Sequence, residues 1–138
     1  MSQYIDRRLP RIHSWVHLRL GQPTGFSKEN PAPREERQLK LSTLKEADLV
    51  TRTTDQAMIL EFSVFDPLKK LSQLLGYRDL LPSTPGFEDI GEPAIRLTLV
   101  TPHPNGSTIQ TAAKYGITVE SFTTPEIDQK IAARRGGR

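Results

Sequence analysis

Three acidic residues in the middle of the sequence are spaced so that their carboxylates can lie side by side. Glu46 and Asp48 belong to one apolar-rich run, and Glu61 belongs to the next. If the polar residues Thr53–Gln56 form a hairpin turn, residues whose numbers sum to 109 face each other, so Asp48 faces Glu61. Side chains alternate along a strand, so all three acids project from one side of the sheet. Their oxygens are the ligands that Mg²⁺ and Mn²⁺ prefer.

Acidic side chains placed opposite each other repel, so the pattern leaves two interpretations open. In the first, Asp48, Glu61 and Glu46 are ligands of a metal ion. In the second, water solvates the three acids on an outer face of the sheet. The other face of the hairpin is apolar and is predicted to cover a core; its residues are Ala47, Leu49, Thr51, Met58, Leu60, Phe62 and Val64.

A helix is predicted directly after the hairpin, so its first turns should lie close to the acids. Asp66 is typical of an N-cap, and Pro67 is typical of the first helical position. Lys70, Gln73 and Tyr77 recur along one flank of this helix. The apolar stripe beside them is predicted to be buried and consists of Leu68, Leu71, Leu74, Leu75 and Leu81.

The order and spacing of these polar residues resemble a known signature. Asp48, the Glu-Phe-Ser run at Glu61–Ser63, and the Q-x-x-x-Y pattern from Gln73 to Tyr77 are similar to the PD-(D/E)XK nuclease superfamily, especially its RecB-type branch. The resemblance extends over about residues 39–122. It implies an α/β fold in which helices flank a mixed β-sheet, with the restriction-endonuclease-like αβββαβ core.

In that superfamily the two acids hold Mg²⁺, and a lysine two residues after the second acid helps to activate water and to stabilise charge on the phosphate. Here Ser63 occupies the lysine position and carries no charge. Catalytic lysines move within the superfamily, so Lys70 is the candidate replacement; the alternative is an ordinary surface lysine. The catalytic set that the resemblance implies is Asp48, Glu61, Lys70, Gln73 and Tyr77. Mg²⁺ is the implied cofactor if the centre is active, and otherwise the centre is degenerate.

The composition limits the sites and compartments that this chain can use. Its 138 residues are one domain by length, and no cysteine is present for a disulfide or a thiolate zinc site. His13 and His17 are four residues apart, but with only His103 besides them they are expected to serve packing or an interface. No apolar run approaches the length of a membrane span, and the polar N-terminus lacks the apolar core of a signal peptide. We therefore expect a protein of the cytoplasm or of a virion.

The net charge of +3 is unevenly distributed. Residues 1–45 contain nine Lys or Arg against four Asp or Glu, residues 46–125 contain six against ten, and residues 126–138 contain four against two. Basic ends around an acidic centre indicate arms that contact a phosphate backbone or an acidic partner, or else simply a soluble surface. The candidate nucleic-acid-binding residues are Arg7, Arg8, Arg11, Lys69, Lys70, Arg134 and Arg135.

The rest of the chain is predicted to complete a single nuclease-like domain over residues 1–138. An N-terminal helix over Leu9–Leu20 leads into a Pro-rich arm that runs to residue 37. The elements predicted next are a strand at 38–42, a loop at 82–93, a strand at 94–100, a helix at 107–115 and a strand at 117–122. The last two strands should be parallel, with the helix as their crossover. A final helix starts at Pro125, and the basic tail within 126–138 ends in an RRGGR segment that is expected to be flexible unless a partner orders it.

Three functions remain open from the sequence. The first is a nuclease-fold protein with a degenerate centre, which binds nucleic acid or forms a structural part of an assembly. Small nuclease-like chains also occur in phage genomes, so a virion is one candidate for that assembly. The second is an active Mg²⁺-dependent deoxyribonuclease in which Lys70 replaces the motif lysine. The third is a protein–protein interaction module without nucleic acid. The expected partners are other proteins or further copies of this chain, and DNA, but no membrane.

Overall fold

The protein contains a five-stranded mixed β-sheet with helices packed against it. The computed structural model describes Tyr4, residues 13–21 and residues 45–136. In spatial as well as chain order, the strands are β1 (His13–Arg19), β2 (Glu46–Arg52), β3 (Ala57–Phe62), β4 (Ile95–Thr101) and β5 (Ile117–Ser121). The helices are α1 (Pro67–Leu80), α2 (Gly106–Lys114) and α3 (Pro125–Gly136). The predicted fold class, an α/β protein with a mixed sheet flanked by helices, is confirmed.

The strand pairing agrees with the register predicted for the central hairpin. In β2 and β3, Leu49 pairs with Leu60 and Val50 pairs with Ile59, so the numbers sum to 109. Strand β1 also pairs with β2 in antiparallel fashion, whereas β3, β4 and β5 are parallel to one another. The predicted parallel pair on either side of helix α2 is therefore present.

The predicted helix over Leu9–Leu20 is wrong across strand β1. The residues of β1 pair with β2, and Leu20 extends this contact by donating its N–H to the carbonyl of Lys45 at 2.8 Å. Val16, predicted on the buried face of the helix, is 47% exposed. The apolar spacing of this segment suits a helix, but pairing with β2 satisfies its backbone N–H and C=O groups and determines its conformation.

Several predicted features lie outside the described residues. They are residues 9–12 of the predicted helix, the Pro-rich arm to residue 37 and the strand at 38–42. The basic residues Arg7, Arg8 and Arg11 lie there too. These features stay predictions.

Helix α1 packs on the face of the sheet from which the acids project. It starts at Pro67, in agreement with the prediction, but the Asp66 side chain does not cap it. Instead the N–H of Asp66 donates to Oγ of Ser63 at 3.0 Å. Leu68 is 53% exposed, against prediction, so the buried face begins one turn later. That face and the sheet beneath it form the larger core, which includes Leu71, Leu74, Tyr77, Val50, Ala57, Ile59 and Leu97.

The opposite face of the hairpin carries a second, smaller core. Leu49, Leu60 and Val100 are buried there together with Tyr4, which confirms the prediction of a core on this face. The hydroxyl of Tyr4 donates to Oε2 of Glu120 at 2.6 Å and so holds this core against β5. Because apolar groups cover both faces of the central strands, a charged group on those strands needs a partner within the protein.

The long connection between α1 and β4 is held against the sheet. It contains two 3₁₀ turns, Leu81–Ser83 and Glu92–Ala94, and it buries Phe87. The guanidinium group of Arg52, at the end of β2, forms an ion pair of 3.0 Å with Asp89 in this connection. This ion pair ties the connection to strand β2.

Helix α3 begins at Pro125, as predicted, and continues to Gly136. The helix therefore includes Arg134 and Arg135 of the basic tail. Oγ1 of Thr124 accepts a hydrogen bond from the N–H of Ile127 at 3.3 Å, and basic residues in the last turn suit the helix dipole. Within the described part of the chain, no helix is long and apolar enough to cross a membrane.

Leu74→Ala should lower the free energy of unfolding by about 2–5 kcal/mol, because the side chain is fully buried between α1 and the sheet and its loss leaves a cavity. Leu68→Ala is the matched control in the same helix and should change the stability by less than about 1 kcal/mol. Urea denaturation followed by circular dichroism measures both changes. Equal losses in the two variants would contradict this packing of α1.

Candidate active site

Strands β2 and β3 stop pairing through their backbones where the two acids face each other. The last backbone pair is Leu49 with Leu60. Beyond it, the N–H of Asp48 donates to Oε1 of Glu61 at 3.2 Å, and the N–H of Phe62 donates to Oδ2 of Asp48 at 2.9 Å. Each carboxylate therefore takes the place of a backbone carbonyl in the ladder, and the two strands hold both acids in position.

The ammonium group of Lys70 completes this cluster from helix α1. Its Nζ atom lies 3.1 Å from Oε2 of Glu61 and 3.9 Å from Oδ2 of Asp48. Lys70 reaches the strands because α1 starts at Pro67, shortly after β3 ends. The side chains of Lys70 and Asp48 are 28% and 25% exposed, whereas Glu61 is fully buried. A ligand in solvent can therefore reach the cluster through Lys70 and Asp48.

Burial shifts the protonation equilibrium of Glu61. Loss of solvation, together with the hydrogen bond and negative charge of Asp48, raises the pKa of Glu61 to about 7, although Lys70 acts in the opposite direction. The acids also act on Tyr77: burial and the negative charges of Glu61, Asp48 and Glu46 raise the pKa of its phenol group. The site thus contains more negative charge than one lysine neutralises. A further cation would favour the ionised form of Glu61.

The other two residues of the predicted catalytic set lie further along α1. The side chain of Tyr77 is 7% exposed and belongs to the larger core. The Oε1 atom of Gln73 is buried and has no hydrogen-bond partner among the described residues. Such an orphaned acceptor is a place where a water molecule or a ligand donor can bind. The structure brings Asp48, Glu61 and Lys70 together, and Gln73 and Tyr77 follow Lys70 on helix α1.

Glu46 lies at the rim of the cluster. Its Oε1 atom is 3.2 Å from Nδ1 of His17 on β1, and these side chains are 45% and 59% exposed. His17 interrupts the β1–β2 pairing opposite Asp48, and its φ of 55° is the only positive φ of a non-glycine residue in the described ranges. Because the sequence predicts a helix for this segment, it does not place His17 next to Glu46 and Asp48. An alternating strand pattern is the signal that would have shown it.

Ser63, which is predicted to stand at the position of the motif lysine, contacts the backbone. Its Oγ atom accepts from the N–H of Asp66 at 3.0 Å, and its own N–H donates to the carbonyl of Val100 at 3.0 Å. These two contacts hold the turn between β3 and α1. Ser63 therefore helps to position the helix that carries Lys70.

The predicted nucleic-acid-binding residues that the structure describes lie on two helices. Lys69 is exposed next to Lys70 on α1. Arg134 and Arg135 are exposed near the end of α3, and the guanidinium group of Arg134 lies 4.1 Å from the centre of the Phe65 ring. Because Phe65 lies three residues after the end of β3, Arg134 lies near the end of the strand that carries Glu61.

The donors at the site fit a divalent cation that is shared with a substrate phosphate. No group of three or more His, Cys, Asp or Glu residues in the described ranges is arranged to hold a metal ion. Mg²⁺ usually keeps several waters, however, and binds one or two carboxylates together with phosphates. Asp48 and Glu61 are the residues that would hold it. Glu46, the third predicted ligand, is paired with His17 at the rim.

Comparisons with known proteins give matches among solved structures alone. No protein-family model matches this chain, and no curated protein matches it. It is similar to a repair endonuclease from Pyrococcus abyssi, with 15% identity and a TM-score of 0.52 over 90% of this chain and 45% of that one. It is also similar to EndoMS in a complex with double-stranded DNA (16% identity, TM-score 0.50, 91% and 44% covered). A third is a protein of unknown function (10% identity, TM-score 0.53, 91% and 56% covered).

These similarities show a nuclease-like fold. The chain spans about half the length of the solved proteins that it matches, and the low identities restrict the comparison to the fold. The nuclease-like fold predicted from a few polar residues is confirmed. The prediction that the centre is degenerate stays a prediction.

The stability of the metal-free protein should depend on pH through Glu61. Because its folded-state pKa of about 7 is above the ordinary value of 4.5, the folded protein binds this proton more tightly than the unfolded chain does. The resulting stabilisation is fully present below pH 4.5 and is lost as the pH rises through about 7. The difference between these two pKa values corresponds to roughly 3 kcal/mol in the free energy of unfolding.

Glu61→Gln provides the comparison, because glutamine stays neutral over this range. Urea denaturation in EDTA, from acid to mildly alkaline pH, should show the loss in the wild type and not in the variant. Titrating groups that do not interact with Glu61 contribute equally to both proteins. Parallel pH profiles would show that Glu61 titrates normally.

Proposed function

We propose that this chain is a divalent-metal-dependent nuclease domain that cleaves phosphodiester bonds of DNA. The observation that carries the proposal is the position of Lys70, whose ammonium group lies 3.1 Å from Glu61 and 3.9 Å from Asp48. An acid pair and a cation at one opening of a nuclease-like fold are the groups that PD-(D/E)XK chemistry uses. In this proposal Lys70 replaces the lysine that is absent at Ser63.

Lys70 supplies positive charge for the reacting phosphate. A cation held at the scissile phosphate before the reaction stabilises the negative charge that develops on the phosphoryl oxygens. Its side chain is 28% exposed and ends in a point charge on a flexible stem. The ammonium group can therefore turn from Glu61 towards an incoming phosphate without leaving the site.

Asp48 and Glu61 present two carboxylates for the metal ion. A divalent ion bound there supplies Lewis-acid activation of the phosphate and of water. The N–H of Phe62 orients Oδ2 of Asp48, and the N–H of Asp48 orients Oε1 of Glu61. Backbone groups thus fix both ligands in advance, which favours binding of the ion in one geometry.

DNA is the proposed substrate for two reasons. EndoMS, one of the similar solved proteins, is bound to double-stranded DNA in its structure. In this chain, Arg134 contacts Phe65, four residues after Glu61, so positive charge on α3 lies close to the acids. Exposed cations beside a reacting centre bind phosphates and release counterions, which adds affinity for nucleic acid.

A nuclease-fold protein without catalysis is the second candidate, and Ser63 is the observation that favours it. In that case the centre is degenerate, and the chain binds nucleic acid or forms a structural part of an assembly such as a phage virion. Lys70 would then only neutralise a buried acid, as in many structural ion pairs. An interaction module without nucleic acid is a third outcome and predicts no DNA binding.

Purified protein should cleave DNA with Mg²⁺ or Mn²⁺ and not with EDTA. Glu61→Ala should abolish cleavage, and Lys70→Ala should lower kcat by about 10²–10³-fold, because the charge that faces the phosphate is lost. Lys114→Ala is the matched control, since Lys114 is an exposed lysine at the end of α2 and should leave kcat unchanged. A gel assay measures cleavage, and circular dichroism confirms that each variant is folded.

The alternatives predict different results in the same assay. Salt-sensitive DNA binding without cleavage under either metal would favour the non-catalytic candidate, because phosphate contacts release counterions. The absence of both binding and cleavage would favour the interaction module. Equal activity of Lys70→Ala and Lys114→Ala would contradict the role of Lys70.

Mn²⁺ should stabilise the wild type, because an ion that binds only the folded state adds about 2.7 kcal/mol at one hundred times its Kd. Asp48→Asn should lose most of this stabilisation, since one of the two charged ligands is gone. Asp79→Asn removes an exposed acid from the end of α1 and should respond like the wild type. Thermal unfolding with and without Mn²⁺ measures the effect, and identical responses of both variants would argue against this site.

A further inference from the structure

A pocket outside the acid–lysine cluster lies at the ends of strands β3 and β4. Its volume is about 340 Å³. Val64, Phe65 and Pro67 line it from the connection between β3 and α1, and Thr101 and His103 line it from the end of β4. The carboxyl ends of parallel strands are where open α/β sheets usually bind ligands.

The pocket contains an excess of positive charge. Arg134 and Arg135 line it from helix α3. Within the part of the chain that the structure describes, no acidic side chain forms an ion pair with either guanidinium group. No acidic residue of the described ranges lines the pocket; Asp128 lies beside it, with its Oδ1 atom 2.8 Å from Nε2 of His103, so the charges that line the pocket are the two guanidinium groups. These charges suit an anionic ligand.

Phe65 holds one of these arginines in place. The guanidinium carbon of Arg134 lies 4.1 Å from the centre of the Phe65 ring, within the range of a cation–π contact. The ring itself is 47% exposed, although large aromatic side chains usually contribute to a core. A guanidinium group that is already oriented loses less freedom when it binds a phosphate. Phe65 is therefore a positioning residue for the pocket.

The pocket is close to the acid–lysine cluster. Phe65 follows Glu61 by four residues, which span at most about 14 Å even in an extended chain. Pro67 precedes Lys70 by three residues, or about 4.5 Å along the helix axis. One strand of duplex DNA carries a phosphate about every 3.4 Å along its axis, so a strand bound at Lys70 presents another phosphate to the pocket within about four nucleotides.

We infer that this pocket is a phosphate-binding subsite, in which Arg134, Arg135 and His103 hold a nucleic-acid phosphate a few nucleotides from the bond that is cut. The inference rests on the proposed function and deepens it, because it makes helix α3 part of the substrate-binding surface. The phosphate has two sources. It is an internal phosphodiester of the strand or the phosphomonoester at a strand end.

Binding measured without divalent metal tests the subsite apart from catalysis. The experiment is fluorescence anisotropy in EDTA with short labelled duplexes whose 5′ ends carry either hydroxyl or phosphate groups. Arg135→Gln should weaken binding about tenfold at low salt. It should also lower the slope of log affinity against log salt by about 0.9, because one phosphate contact is lost. Lys130→Gln, which removes a charge from the same helix outside the pocket, should change neither quantity.

The role of Phe65 has its own pair of variants. Phe65→Ala should weaken binding several-fold, because Arg134 loses the ring that orients it. Phe65→Tyr keeps an aromatic face and should restore the affinity of the wild type. Equal affinity of the alanine and tyrosine variants would remove Phe65 from the subsite.

The two probes separate the two sources of phosphate. A loss confined to phosphorylated ends identifies the terminal phosphomonoester, and an equal loss with both probes identifies an internal phosphodiester; either result supports the subsite. Equal effects of Arg135→Gln and Lys130→Gln would overturn it, and so would a wild type that does not bind DNA.

Failure of the subsite and failure of the proposed function are distinguishable. If the wild type binds DNA through the pocket and never cleaves it with Mg²⁺ or Mn²⁺, the nuclease proposal fails and the subsite stands. If the wild type cleaves DNA and Arg135→Gln binds as tightly as the wild type, the subsite alone fails.

Discussion

The buried carboxylate of Glu61 is the constraint on which the rest of this structure depends. A charged group removed from water costs several kcal/mol unless it gains partners within the protein. Glu61 gains two, the N–H of Asp48 from β2 and the ammonium group of Lys70 from α1. The first requires the hairpin register, and the second requires a helix that starts directly after β3. The position of the chemistry and the packing of the core therefore depend on the same contacts.

The same contacts leave the cluster electrostatically unbalanced. Glu61 and Asp48 carry two potential negative charges, while Lys70 carries one positive charge, and burial together with the neighbouring Asp48 raises the pKa of Glu61 to about 7. A purely structural pair of one acid and one lysine would be balanced. A second acid, held by the N–H of Phe62 close to a solvent opening, decreases stability near neutral pH because it disfavours the ionised form of Glu61. Such arrangements are typical of sites that bind a cation or a substrate.

Patterns in the sequence predict those features of the structure that residues close together in the chain determine. The polar turn at Thr53–Gln56 sets the register that places Asp48 opposite Glu61, and both features are present in the structure. Strand β1 is different, because its apolar spacing fits a helix as well as a strand, and only pairing with β2 decides between them. The full burial of Glu61 depends on how helix α1 packs over the face of the sheet that carries the acids, which no local pattern encodes. The periodicity of α1 likewise identifies the flank that bears Lys70 but not the groups beneath it.

Under the proposed function, Ser63 and Lys70 together explain how the centre keeps a positive charge without the motif lysine. Oγ of Ser63 accepts the N–H of Asp66 and so holds the turn from which α1 starts. A lysine at this position has no acceptor for that N–H, and the turn would lose the contact. The charge instead comes from the first turns of the helix, 3.1 Å from Glu61. Catalytic constellations are defined by the geometry of their groups rather than by sequence position, so serine at the motif position is compatible with an intact centre.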